Sequence, residues 1–198
     1  MAGISAILTA AGESTRVGRP KPLLLWSGVP LVEYQTRSLV EAGVAEVVVV
    51  LGHLAGDVEP YVRGPGVRHV LNRDYRRGKA TSIRVGLGAI SRDAEGVLLL
   101  AVDQPRPAHL VSAVILAHLE SDALITSPRH RGRGGHPLVF AASLRSELEA
   151  ISEEGNGIRE VFERHRERVT EIEIDDPIIR LDINTLEEYE RARATYGA

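Results

Sequence analysis

Five short apolar runs, each stopped by small or polar residues, constrain this chain more than any other feature. They are Ile4–Thr9, Glu46–Leu51, Val67–Leu71, Val97–Val102 and Ala123–Thr126. Continuous Val/Leu runs of this length suit strands buried on both faces. Between them lie stretches with helical spacing: Leu31–Glu41, Asp57–Val62, Thr81–Ile90, Ala108–Glu120 and Ile158–Arg166. Strand–helix alternation predicts an α/β fold, a three-layer α/β/α sandwich around a mostly parallel, Rossmann-like sheet. His136–Phe140 and Glu171–Ile174 add two strands. Asn184 is expected to cap a last helix over Thr185–Arg193, with Glu187 at the capping-box position. No repeat, low-complexity tract or linker interrupts the pattern, so residues 1–198 read as a single domain. Pro128–Gly135 (PRHRGRGG) reads as the most flexible and most basic segment.

Composition narrows the function classes. At 198 residues the chain can bury a full core. A formal net charge of −3 gives no overall basic field for nucleic acid or a membrane surface. Cysteine is absent, which removes disulfides, thiolate metal sites and cysteine nucleophiles. The opening MAGISAILTAAGE has no cationic n-region and does not read as a signal peptide. The longest apolar run is too short to span a bilayer. A cytoplasmic location is the expectation.

In open α/β sheets ligands collect at the carboxyl ends of the strands. After the first run comes LTAAGESTRVGRPKPLL, residues 8–24. Ala10, Ala11 and Gly12 leave the backbone open to a ligand. Glu13 and Ser14 follow, then the cations Arg16 and Lys21, with Pro20 and Pro22 stiffening the far side. Free N–H groups, small side chains and two cations suit a polyphosphate. The loop is neither a Walker A sequence nor a dinucleotide fingerprint. After the third run come Asn72 and Ser82, after the fourth Asp103, and near the end Asp182.

Each of these residues also has an ordinary structural alternative. Asp103 could hold Mg²⁺ against phosphate oxygens, or cap the helix that begins near Pro107. Asp182 could be a second metal carboxylate or a turn residue. Lys21 and Arg16 could neutralise a transferring nucleotidyl group, or be solvated surface cations. Asn72 and Ser82 could read a base and ribose, or be turn and helix-start residues. Arg129, His130, Arg131 and Arg133 form a cationic loop that is either solvated or meets an anionic second substrate. Arg73, Arg76, Arg77 and Lys79 read as a solvated face near the site. No Gly-x-Ser-x-Gly elbow supports serine hydrolysis.

Taken in order, these motifs resemble the MobA-like nucleotidyltransferases, in particular the molybdenum cofactor cytidylyltransferases. The first motif is LTAAGESTRVGRPKPLL, with Val17 where Met is usual. The second is LNRDYRRGKATSIRVGL, from Leu71 to Leu87. Asp103-Gln104-Pro105 and Gly135-His136-Pro137 supply the third and fourth. Asp182-Ile183-Asn184-Thr185, leading to Glu187-Glu188-Tyr189, is the last. Where the family usually has Gly-Asp-x-Gly-Ala-Arg, this chain has Glu154-Gly155-Asn156-Gly157-Ile158-Arg159.

The resemblance implies the nucleotide-diphospho-sugar transferase type of fold and transfer of a nucleoside monophosphate, with pyrophosphate leaving. The donor it implies is CTP, since Ala10-Ala11 is similar to the cytidylyl branch. The acceptor is the phosphate of molybdopterin. Arg16, Lys21 and Asp103 would be catalytic, and Ala10 to Ser14, Asn72 and Ser82 would bind nucleotide. Asp103 and Asp182 would hold Mg²⁺. His136 and Arg159 would face the acceptor, and a molybdoenzyme or its chaperone would be a partner. A sugar or alcohol phosphate acceptor, or a non-catalytic nucleotide-binding or cofactor-delivery module, remain alternatives. A glycosyltransferase ranks below them, because Asp103-Gln104-Pro105 lacks the second acid of an Asp-x-Asp motif.

Overall fold

A computed structural model describes residues 3–197 of the chain. The strands are β1 Ile4–Ala10, β2 Leu25–Trp26, β3 Val29–Pro30, β4 Glu46–Leu51, β5 Val67–Leu71, β6 Gly96–Ala101, β7 Ile125–His130, β8 Arg133–Gly134, β9 Leu138–Ala141 and β10 Val169–Glu173. The α-helices are α1 Leu31–Glu41, α2 Ala55–Val58, α3 Lys79–Ala89, α4 Ala108–Leu119, α5 Arg145–Ala150, α6 Ile158–Arg164 and α7 Leu186–Tyr196.

The main sheet runs β10-β7-β9-β6-β1-β4-β5, with β8 paired to β7. β6, β1, β4 and β5 are mutually parallel, as are β7 and β10. β9 lies antiparallel to both β6 and β7. Alternate side chains of the central strands fill two cores. Ala6 and Leu8, Val47, Val49 and Leu51, and Leu98 and Leu100 join Leu31, Leu39, Val111 and Tyr189. Ile7, Val48, Val50, Val97 and Leu99 join Ile83, Leu87, Leu148 and Val161 on the other face. The uninterrupted Val/Leu runs therefore follow from a sheet covered on both sides: α1, α4 and α7 on one face, α3, α5 and α6 on the other.

The expected three-layer architecture holds, and several boundaries move. Pro128–Gly135 is not a loose loop. Pro128, Arg129 and His130 end β7, and a turn at Arg131-Gly132, both with positive φ, returns the chain into β8. The last helix is capped by Thr185, not Asn184. The Thr185 hydroxyl accepts from Glu188 N–H at 3.1 Å and the Glu188 carboxylate accepts from Thr185 N–H at 3.2 Å, so Glu188 replaces Glu187 in the capping box. The second helical stretch is shorter than Asp57–Val62, with a 3₁₀ turn at Glu59–Tyr61 after α2. The small β2–β3 hairpin turns at Ser27-Gly28, both with positive φ, and buries Trp26 completely. Among the described residues no helix is long and apolar enough to cross a membrane.

Candidate functional site

β1 ends at Ala10 and the chain leaves the sheet in a loop. Ser14 folds it. Ser14 has φ 56°, and its carbonyl accepts from Val17 and Gly18 N–H at 3.0 and 3.2 Å. Its hydroxyl accepts from Lys21 N–H at 3.0 Å. The Ala11 carbonyl accepts from His53 N–H at 3.0 Å, which draws the end of β4 against the loop. Gly52 makes that approach possible, since a Cβ there would lie 2.7 Å from Ala11 O and 2.9 Å from Tyr75 Cγ. Gly12 is the opposite case. A Cβ on it meets nothing within 4 Å, so the fold does not need a glycine there and the space beside it is open.

Lys21 opens a 3₁₀ turn, Lys21–Leu23, held between Pro20 and Pro22. Its ammonium donates to Asp103 Oδ2 at 2.6 Å, with side chains 13% and 17% exposed. β1 and β6 are parallel neighbours with Thr9 opposite Ala101, so the residue two places beyond β6 falls beside the first loop. Asp103 does not cap α4, whose N-cap is Pro107. The helix-cap reading is thus set aside, and Asp103 faces the lysine of the first motif.

Arg106 fixes the frame behind this pair. It is fully buried. Its Nε donates to His136 O at 2.8 Å, Nη1 to Pro105 O at 2.9 Å and Leu181 O at 3.0 Å, and Nη2 to Ile179 O at 2.8 Å. Burial lowers its pKa to about 10, and the charges of Asp182, Asp103 and Asp176 oppose that shift. One guanidinium therefore joins the Asp103 loop, the His136 turn and the segment leading to Asp182. Gln35 supports it from α1, donating to Gln104 O at 2.5 Å and accepting from Arg106 N–H at 3.1 Å. Sequence reasoning missed both residues. An arginine between two prolines after a strand end looks like a solvated loop residue.

A cleft of about 260 Å³ opens over these strand ends. Ala10, Ala11, Gly12, Ser14, Arg16, Lys21, Ser82 and Asp103 line it, and so do Tyr75, Lys79 and Asn184, which the sequence reading did not select. Arg16 reaches Asn184 Oδ1 at 3.5 Å. Three expected contacts are placed differently. Glu13 does not line the cleft; its carboxylate pairs with Arg76 at 2.7 Å, and that hydrogen bond holds it below the usual carboxylate range. Asn72 is buried behind the wall. Its amide donates to Thr81 and Ser82 hydroxyls, both at 2.9 Å, and its carbonyl accepts from Asp74 N–H at 2.9 Å. Asn72 thus holds Ser82 in place and has no free group for a base. Asp182 is exposed and lines neither cleft. It comes beside Asp103 through the main chain, where Ile183 N–H donates to Asp103 O at 2.9 Å.

Among the described residues no group of three or more His, Cys, Asp or Glu could hold a metal by itself. Asp103 and Asp182 offer two carboxylates on joined segments. Of the two, Asp103 lines the first cleft, and one carboxylate with phosphate and water as the other ligands suits a hard divalent cation.

A second cleft of about 260 Å³ adjoins the first. It brings together His136 and Arg159, with Lys79, Gln104, Glu153 and Asn156 and the apolar residues Ile83, Leu99, Leu138 and Ile158. Burial, with the Arg106 charge, lowers the His136 pKa to about 4. Gln104 Oε1 accepts from Ala101 N–H at 3.1 Å, so its Nε2 donates to His136 Nδ1 at 3.1 Å. His136 is therefore a neutral imidazole with its proton on Nε2. It can donate a hydrogen bond and does not supply positive charge.

An open loop of small residues and a cation–carboxylate pair at two parallel strand ends, with a second cleft adjoining, suit a polyphosphate beside a second ligand. The chain belongs to the MobA-like NTP transferase domain family, whose model matches residues 6–169. It is 32% identical over 203 residues to nicotine blue oxidoreductase of Paenarthrobacter nicotinovorans, covering 95% of each chain. It is 26% identical to the molybdenum cofactor cytidylyltransferase of Escherichia coli (strain K12), covering 99% of this chain and 98% of that one. The structure of Rv0371c from Mycobacterium tuberculosis H37Rv superposes with a TM-score of 0.84 at 27% identity, covering 96% of both chains. A complex of Rv0371C with manganese superposes with a TM-score of 0.80 at 26% identity, covering 96% of this chain and 97% of that one. The fold is that of the nucleotide-diphospho-sugar transferases.

Proposed function

We propose that the protein transfers CMP from CTP to the phosphate of molybdopterin. The observation that carries this reading is the Lys21–Asp103 pair at 2.6 Å beside an open phosphate loop, with a second cleft adjoining. The Ala10–Ser14 backbone and Ser82 hold the donor nucleotide. Lys21 and Arg16 face the triphosphate and stabilise charge as it moves onto the leaving group. Asp103 and Asp182 would hold Mg²⁺, which when bound neutralises phosphate oxygens.

An oxygen of the acceptor phosphate forms the new bond to the α-phosphorus. The bridging α–β P–O bond breaks, and its electron pair leaves with pyrophosphate. The acceptor phosphate is already ionised at neutral pH, so no side chain needs to act as a general base. This agrees with His136 being a neutral donor. The chain's contribution is positioning and charge neutralisation. The product would pass to a molybdoenzyme or its chaperone.

The CTP preference rests on Ala10-Ala11, which is similar to the cytidylyl branch. Pyrophosphate release measured with CTP, GTP and ATP, each with molybdopterin and with Mg²⁺ or EDTA, tests the reading. CTP- and Mg²⁺-dependent release is the expected result. Release only with a sugar or alcohol phosphate replaces the acceptor assignment. Tight nucleotide binding with no release for any acceptor identifies a binding module. The likeness to nicotine blue oxidoreductase over 95% of each chain favours one second reading, a redox enzyme. Redox turnover of nicotine blue, with no pyrophosphate release for any nucleotide, would establish it instead.

A further inference from the structure

We infer that Lys79 binds the phosphate of the acceptor at the junction of the two clefts, and that the acceptor is a phosphate monoester with a mostly apolar body. The inference rests on the nucleotidyltransferase reading and adds a residue and a binding polarity to it.

Three residues line both clefts: Thr9, Lys79 and Ala101. Lys79 is the charged one. It is the first residue of α3, and the preceding Gly78 takes φ 114°, which turns the chain into the helix between the clefts. Its neighbours leave its charge available. Lys21 is paired with Asp103 within the first cleft and belongs to the donor side. Among the described residues Lys79 has no carboxylate at ion-pair distance. Glu153 is the acid that lines the second cleft; its carboxylate is held at the start of α3 by Ala80 N–H at 2.6 Å and makes no ion pair with Lys79.

The shape of the reaction says where the acceptor's phosphate must lie. Its attacking oxygen has to reach an α-phosphorus held over the first cleft, while the rest of the acceptor occupies the second. The two meet at the shared wall. The remainder of the second cleft presents Ile83, Leu99, Leu138 and Ile158, with Gln104, Asn156 and the neutral donor His136 as polar groups and Glu153 and Arg159 at its charged edge. That lining suits a largely uncharged ring system with a few polar edges. A cation at the junction shields the acceptor phosphate from the like-charged triphosphate as the two approach.

The test compares Lys79→Met and Lys79→Arg with wild type. It uses steady-state kinetics with molybdopterin and CTP varied separately, and calorimetric titration of each. In Lys79→Met the KM for molybdopterin should rise roughly ten- to a hundredfold, the range for losing a hydrogen bond to a charged group. The dissociation constant for CTP should stay near wild type, and Lys79→Arg should restore most acceptor affinity. Wild-type turnover with an unaltered acceptor KM in Lys79→Met overturns the inference and leaves the transferase reading standing. Weakened CTP binding with an unaltered acceptor KM also overturns it, assigning Lys79 to the triphosphate. A wild-type protein that releases no pyrophosphate with any nucleotide overturns both.

Discussion

Arg106 offers the most demanding test of how the site is held. Replacing it with methionine keeps the apolar stem and roughly its volume but deletes the guanidinium. Four carbonyls, of Pro105, His136, Ile179 and Leu181, lose their donor in a buried region. Four hydrogen bonds from a charged donor, at about 1.5 kcal/mol each, set a gross loss of about 6 kcal/mol. Removing a buried charge returns part of it. The pKa lowered to about 10 puts that recovered penalty at about 3 kcal/mol. The net expectation is a loss of about 3 kcal/mol, large against ordinary domain stability. Urea unfolding reads it as a lower midpoint with an unchanged m-value. Because the same carbonyls frame Asp103, Asp182 and His136, turnover should fall in protein that is still folded. A stability loss below about 1 kcal/mol would refute the reasoning, because the four bonds would then be replaceable by water or relaxation.

Other outcomes follow from single residues. Gly12→Val should leave stability within about 0.5 kcal/mol of wild type, since its Cβ meets nothing. The same change should weaken nucleotide binding in a calorimetric titration, because the side chain enters the space a phosphate would use. His136 has its folded-state pKa lowered to about 4, so the neutral form is favoured in the native protein. Its contribution to stability is complete above about pH 6.5, the unfolded value, and is lost as pH falls toward 4. Full loss amounts to about 3 kcal/mol. Wild type minus His136→Asn, compared by denaturant unfolding across that window, isolates the effect from the carboxylates that titrate alongside it. A constant difference between the two proteins would contradict the neutral imidazole.

The sheet was legible because it is the part of the chain where burial on both faces leaves a simple pattern. Glu46–Leu51 and Val67–Leu71 were read with the boundaries the structure has. The first loop and Asp103 were legible for a related reason: parallel order puts successive strand ends on one edge, so Lys21 and Asp103, 82 positions apart, become neighbours. What failed was local chemistry that sequence spacing does not encode. Asn184 and Thr185 are both good capping residues, and only the hydrogen bonds of Glu188 choose between them. Pro128–Gly135 looks like a loop by composition, yet its first half pairs with β10 and β8, and Arg133–Gly134 pair back onto β7. Asn72 looked like a ligand contact because it follows a strand. Its amide is instead consumed by Thr81 and Ser82. Arg106 and Gln35 were invisible as site residues, since their partners are backbone carbonyls and amides of distant segments and such partners leave no trace in a linear pattern.

The central claim is that the Lys21–Asp103 pair at the two strand ends carries nucleotidyl transfer. Asp103→Asn tests it most directly. The substitution keeps the size of the side chain and an oxygen for Lys21 while removing the carboxylate charge. Pyrophosphate release by the purified variant, with CTP, molybdopterin and Mg²⁺, should fall on the order of 100-fold or more, with the unfolding midpoint little changed. Turnover close to wild type in a folded Asp103→Asn protein would contradict the account.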